Sequence, residues 1–198
     1  MMLYNKKVMQ KQKKGFTLIE LLVVIAILAV LATAVVLIIN PAQLIRQGRD
    51  SARLSDLAAV HSAIALYLAD VNNPVFTVVT YCTKNGVPPS GSCNGNVVTS
   101  TAVDGNGWVN INFNSISSGP PLSRLPTDPT DGASTCGPAN SAVCFYGFTA
   151  STTETYELIA NLESVRYQQG GGSDVVSTDG GDDTDFYEIG NAPGLSLW

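Results

Sequence analysis

Histidine is nearly missing from this 198-residue chain, which has only His61. Cations are scarce too once the first fifteen positions are passed. Arg46, Arg49, Arg53, Lys84, Arg124 and Arg166 then face all sixteen acidic residues, so a chain starting at Phe16 has a side-chain net charge of −10 against −5 for the whole. Nucleic-acid binding needs a basic face, which such a body lacks. No D-x-D-x-D-G with a glutamate at position twelve occurs, which excludes an EF-hand. The serines and threonines of Ser90–Thr101 have no partnered base, and no carboxylate pair stands at a catalytic spacing. His61 lies on a helix stripe and reads as a packed or surface residue. The expectation is a protein that is not an enzyme.

Charge is also missing from Phe16–Ile39, with one exception. These 24 residues are apolar apart from Glu20 and a few small polar positions. As a helix they reach about 36 Å at 1.5 Å per residue, enough to cross a bilayer. A carboxylate in such a segment costs roughly 2.5–3.5 kcal/mol or more at the bilayer centre, so Glu20 needs a use or a partner. Five lysines (Lys6, Lys7, Lys11, Lys13 and Lys14) precede the segment. By the positive-inside rule they stay on the cytoplasmic side while the acidic body is carried outward.

The junction reads G-F-T-L-I-E from Gly15 to Glu20, after a basic leader and before a long apolar tail. This block resembles the prepilin (type III) signal of type IV pilins and type II secretion pseudopilins. The resemblance implies cleavage between Gly15 and Phe16 by a membrane aspartyl prepilin peptidase, with methylation of the new Phe16 amine. A glycine suits the cut because it leaves the backbone open to close approach; the plainer reading is a helix-breaking Gly15. The family also implies a role for Glu20. In a filament, the amine of an arriving subunit meets Glu20 of its neighbour and sets the axial register. The alternative is a Glu20 protonated or bonded to its own chain's N-terminus. Thr17 reads as an ordinary helix-start residue.

After Asn40, Pro41 marks a break. Leu44, Leu54, Leu57, Ala58, His61, Ile64, Ala65 and Leu68 then recur at spacings of three and four, an amphipathic face ending near Val71. Arg46, Arg49, Asp50, Arg53, Asp56 and Asp70 fall mostly off that stripe, close enough for local ion pairs. Beyond Pro74 the short runs Val75–Tyr81, Trp108–Phe113, Val143–Phe148 and Tyr156–Leu162 read as strands between Gly, Pro, Asn and Ser clusters. In the last run Tyr156, Leu158, Ala160 and Leu162 share one face, so the sheet is expected to have one buried side. Trp108, Tyr146, Phe148 and Tyr156 read as its core. The fold class expected is α+β, a pilin-like lollipop. Its parts are a leader over 1–15, an apolar helix over 16–39, an amphipathic continuation over 40–71 and a β head over 72–198.

Cys82, Cys93, Cys136 and Cys144 form two sequence-local pairs, as suits an exported body. Disulfides 82–93 and 136–144 are the simplest of three connectivities; zinc is the competitor, but the pairs lack the short C-x₂₋₄-C spacing, and free thiols remain open. A weaker resemblance lies downstream. R-L-P-T-D-P at Arg124–Pro129 and Y-E-L-I-A-N-L-E from Tyr156 are similar to the major pseudopilin of type II secretion. That family has an acidic, Gly-rich C-terminal loop that binds calcium. The matching stretch here would use Asp179, Asp182, Asp183 and Asp185, with Glu188 beyond; the other reading is a solvated acidic loop.

Three functional readings follow. In the first the chain is a pilus or pseudopilus subunit, with partners in its own filament, related pilins, the prepilin peptidase, the inner-membrane assembly platform and the membrane before assembly. It then resides in the inner membrane, and afterwards in an extracellular or periplasmic fibre. In the second it is a secreted binding or enzymatic domain cut after Ala32-Thr33-Ala34. In the third the anchor stays uncut. Within the first, R-L-P-T-D-P and the acidic loop lean toward the pseudopilin; the cysteine-bearing insert leans toward a surface pilus.

Overall fold

The computed structural model describes residues 15–89, 93, 96–130, 132–133, 135–137 and 142–198. Apart from Gly15, the expected leader lies outside the described residues. The chain divides into two compact units, Met1–Pro41 and Ala42–Trp198.

The first unit holds helix α1 (Leu18–Ile39). It starts two residues after the apolar run does, because Thr17 is extended and caps it. Asn40 ends it in the left-handed region (φ 45°), its N–H donating to the Val36 carbonyl at 3.4 Å. Pro41 has no N–H to continue the ladder, and serves instead as the first residue of α2 (Pro41–Asp70). The break expected from Asn40-Pro41 is thus a left-handed cap followed by a proline start.

In the second unit α2 buries Asp50, Arg53, Leu57, Val60, Ala63, Ile64 and Tyr67. The spacing is helical, but the face is rotated from the expected one: Leu44, Ala58 and Ala65 are exposed, whereas Asp50 and Arg53 are wholly buried. The expectation that these two charges lie off the stripe is corrected. They are inside because they pair with each other, while Arg53 also meets Asp128 and Glu163 and Asp50 accepts the Glu163 and Ser164 amides.

The sheet has four antiparallel strands in the order β1 (Val79–Cys82), β4 (Tyr146–Ala150), β5 (Tyr156–Asn161) and β6 (Phe186–Gly190). A separate ribbon pairs β2 (Thr135–Cys136) with β3 (Ala142–Val143). The architecture is α+β, with a long N-terminal helical region and a small antiparallel sheet. One face of the sheet carries Tyr146, Phe148, Tyr156, Leu158 and Ala160, in one core with Leu57, Val60, Ile64 and Tyr67 of α2. Leu57, Val60, Ile64, Phe148 and Leu158 each contribute about 1.5–3 kcal/mol on full burial.

The single buried side is also corrected. All six residues of β5 are buried, so the alternating faces are both covered. The outer face packs Ile159 with Cys82, Cys93, Phe145, Phe186 and the partly buried Trp198. At Gly147 a Cβ would collide with the Trp198 ring and Ile159, so only glycine lets the tail lie this close.

Trp108–Phe113 is core, as expected, but not a strand. Its amides bond to nearby loop rather than to the sheet, Trp108 N–H to Ser100 O at 3.0 Å and Phe113 N–H to Val103 O at 2.8 Å. The Trp108 indole N–H donates to Pro126 O at 3.0 Å. The last strand, β6, was hidden inside the acidic run. On its open edge the Glu188 amide donates to the Asp179 carboxylate at 2.8 Å.

Candidate functional site

The sequence signal sits at the start of α1. Thr17 and Glu20 form a reciprocal capping box: the Glu20 amide donates to Thr17 Oγ1 at 3.3 Å, and the Thr17 amide donates to Glu20 Oε2 at 2.8 Å. The Thr17 hydroxyl donates to the same Oε2 at 2.8 Å. Two otherwise orphan helix-start amides are satisfied this way. Glu20 is therefore held within its own helix start, with Gly15 and Phe16 in the non-helical segment just before it. Beyond the cap, α1 over Leu18–Val36 is long and apolar enough to cross a membrane, and none of it is buried in the chain's own fold.

In the second unit the charged residues of α2 do more than pair locally. Arg53 Nη1 donates to Asp50 at 2.8 Å and lies 2.7 Å from Glu163; Nε and Nη2 grip Asp128 at 2.6 and 3.0 Å. Arg49 pairs with Glu163 from the other side. Asp50 also accepts the Glu163 and Ser164 amides at 2.9 and 2.7 Å, and Asp128 accepts the Thr130 amide at 2.8 Å. Burial would push Asp128 and Glu163 up. The arginine hydrogen bonds and charges outweigh it and hold both below the usual carboxylate range. Arg53 is disfavoured by burial, yet Asp128 and Glu163 raise it above its ordinary value.

Asp128 is the aspartate of R-L-P-T-D-P. The motif's visible role is thus to bring one carboxylate and Pro126 O to α2 and Trp108. Sequence reasoning missed this clamp. An Asp–Arg pair three apart, breaking into a helix's apolar spacing, was the available signal.

Cys82 is bonded to Cys93 and Cys136 to Cys144, with Cα–Cα distances of 5.9 and 5.0 Å. Among the described residues one group, Cys136, Cys144 and Glu163, brings three metal-type donors within 4.8 Å of one another. Its sulfurs are already joined as a disulfide and its carboxylate is held by two arginines.

The acidic loop does not supply such a group. Asp179 turns its two oxygens onto the Gly181 and Glu188 amides, and Asp183 Oδ1 accepts the Asp185 amide. No three carboxylates of Asp179, Asp182, Asp183, Asp185 and Glu188 converge within 4.8 Å. Calcium takes six to eight oxygen ligands, carbonyl and water oxygens among them. His61 is half-buried, Nδ1 lying 3.0 Å from the Tyr156 hydroxyl, and burial lowers its pKa. Trp108, Tyr146, Phe148 and Tyr156 are buried in the core.

Residues 10–36 match the family model described as the prokaryotic N-terminal methylation motif. The chain therefore carries the signal of type IV pilin-like and pseudopilin proteins, the one processed by prepilin peptidase. The match ends within α1 and does not extend to the sheet unit. No curated protein and no solved structure matches the chain.

Proposed function

We propose that this chain is a structural subunit of a helical filament, of the type IV pilus or type II secretion pseudopilus kind, and that it has no catalytic role. The supporting observation is the methylation signal placed on a capped, fully unburied apolar helix. A segment apolar on all sides suits either lipid or a bundle of its own copies. Peptidase cleavage after Gly15 creates a cation at Phe16, four residues before Glu20. In the precursor Glu20 Oε2 takes both bonds from Thr17. The carboxylate is thus already oriented at the helix start, and in the filament it receives the Phe16 amine of the next subunit. Leaving either charge unpaired in an apolar core costs several kcal/mol, a penalty that would reject subunits out of register.

The test is intact mass and N-terminal sequencing of material sheared from the cell surface. A chain starting at N-methylated Phe16 in the fibre fraction supports the reading. A chain starting at Val35 would make it a soluble exported domain, and an intact chain confined to membranes would make it a tethered one.

A further inference from the structure

The outer face of the sheet contains a chemical problem that no neighbouring donor solves. Glu157 on β5 and Glu188 on β6 are 0% and 1% exposed. Ile159 pairs with Glu188, so Glu157 is its diagonal neighbour on the same face. Each carboxylate has one oxygen occupied: Glu157 Oε2 accepts the Leu197 amide at 2.9 Å, and Glu188 Oε2 accepts the Asp183 amide at 3.0 Å. Each Oε1 is buried with no donor, and as diagonal neighbours on one face of adjacent strands the two long side chains are close enough to interact. Two buried carboxylates cannot both stay ionised at such a distance. A divalent cation would relieve them, but no third carboxylate converges there.

We propose that Glu157 and Glu188 share a proton, and that this carboxyl–carboxylate bond is a latch that keeps the acidic loop and the C-terminal tail closed over the outer face of the sheet. The two segments it holds rest directly on it. Gly181 lies so close to Glu188 that a Cβ would overlap the carboxylate, and Leu197 is bonded to Glu157 just before Trp198 covers Gly147 and Ile159. The charged groups facing the pair from the loop are Asp179, Asp182 and Asp183; β4 brings Thr149 opposite Glu157, and the tail brings the Leu197 amide. Burial raises Glu157 to about 7 and Glu188 to about 9, and Asp179 pushes both the same way. As a coupled pair they lose protons in two steps near those values. The pair therefore holds two protons below about 7, the one shared proton between about 7 and 9, and none above; both values lie above the unfolded 4.5, so the stabilisation is fully present below about 4.5 and is lost as pH rises through 7 and then 9.

The test uses the full chain in detergent micelles, without added metal. Infrared spectroscopy at neutral pH is expected to show a protonated-carboxyl band that disappears in both Glu157→Gln and Glu188→Gln. Hydrogen exchange at 179–188 and 193–198 is expected to accelerate by on the order of tenfold, beyond its intrinsic pH dependence, once the pair has ionised. In Glu188→Gln the amide donates permanently to Glu157, so exchange in the tail should stay slow at alkaline pH. The absence of the band in the wild-type chain, or exchange that ignores pH up to 10, would overturn the proposal. So would opening of the same segments by a chelator at constant neutral pH, which would assign the pair to a cation. None of these readouts requires filament formation, so failure of the latch and failure of the filament reading are separable.

Discussion

Replacing Arg53 with methionine removes a cation that has no contact with water while keeping most of its length and stem. The guanidinium is 0% exposed and touches Asp50, Asp128 and Glu163. The three carboxylates would not suffer equally. Glu163 keeps Arg49, and Asp50 keeps the amides of Glu163 and Ser164. Asp128 loses both arginine bonds and retains Thr130 alone. Removing one partner of a buried pair costs about 3–5 kcal/mol; with two of the three anions still supported, the lower end is expected. About 3 kcal/mol corresponds to a fall in Tm of about 6–12 °C for a chain of this size. The assay is urea unfolding with the disulfides intact. Asp128 and Glu163 have depressed folded pKa values, so in the wild type their contribution is present above the unfolded values of 3.8 and 4.5 and is lost as pH falls through the folded ones. In Arg53→Met the orphaned carboxylates prefer to be protonated, so the deficit should shrink between pH 7 and pH 5. Adding Asp128→Asn should recover part of the loss at pH 7. A cost below about 1 kcal/mol, independent of pH and not improved by the second substitution, would refute the argument that Arg53 neutralises a buried cluster.

Other expectations are more local. Cys82→Ser with Cys93→Ser opens a loop of sequence separation 11; unfolding should show a loss of about 2–4 kcal/mol, and less would mean that the surrounding fold already restrains the loop. Tyr146→Phe removes the 2.7 Å hydrogen bond to Asp56; a cost of about 1.5–3 kcal/mol is expected for a bond to a charged group, read from the same urea curves. Burial lowers His61, so its neutral form supports the fold above the usual 6.5 and that support fades as pH falls below it; an NMR titration of the imidazole giving an ordinary pKa would contradict this. Glu20→Ala is expected to leave cleavage and methylation of Phe16 intact but to deplete the chain from sheared fibres, and normal fibre incorporation would remove the register role.

The segment through Pro41 was legible because its information is local. A glycine before an apolar run, one acid five residues after that glycine and a proline after the run are each visible without tertiary structure. The aromatic core could be read as well, since Trp108, Tyr146, Phe148 and Tyr156 have few uses other than packing. What could not be read depended on distant partners. Asp50 and Arg53 look like a solvated helix face until Asp128 and Glu163 arrive from 75 and 113 positions away. The alternation of β5 was correct, yet Glu157 and Asn161 gave no hint of burial because Trp198 and the acidic loop close over them. β6 was missed because only five residues pair, and aspartates crowd the approach to them.

The Asp179 carboxylate on the rim of β6 has a consequence for crowding. A fibre would place many identical sheets side by side at high local concentration, the circumstance in which bare strand edges zip together. Here the outward amide of Glu188 is already taken by a negatively charged side chain. A neighbour's strand approaching that rim would have to displace an anion and meet more aspartates behind it. In such a fibre, copies stacked through their helices would meet at this rim an edge whose Glu188 amide is already occupied.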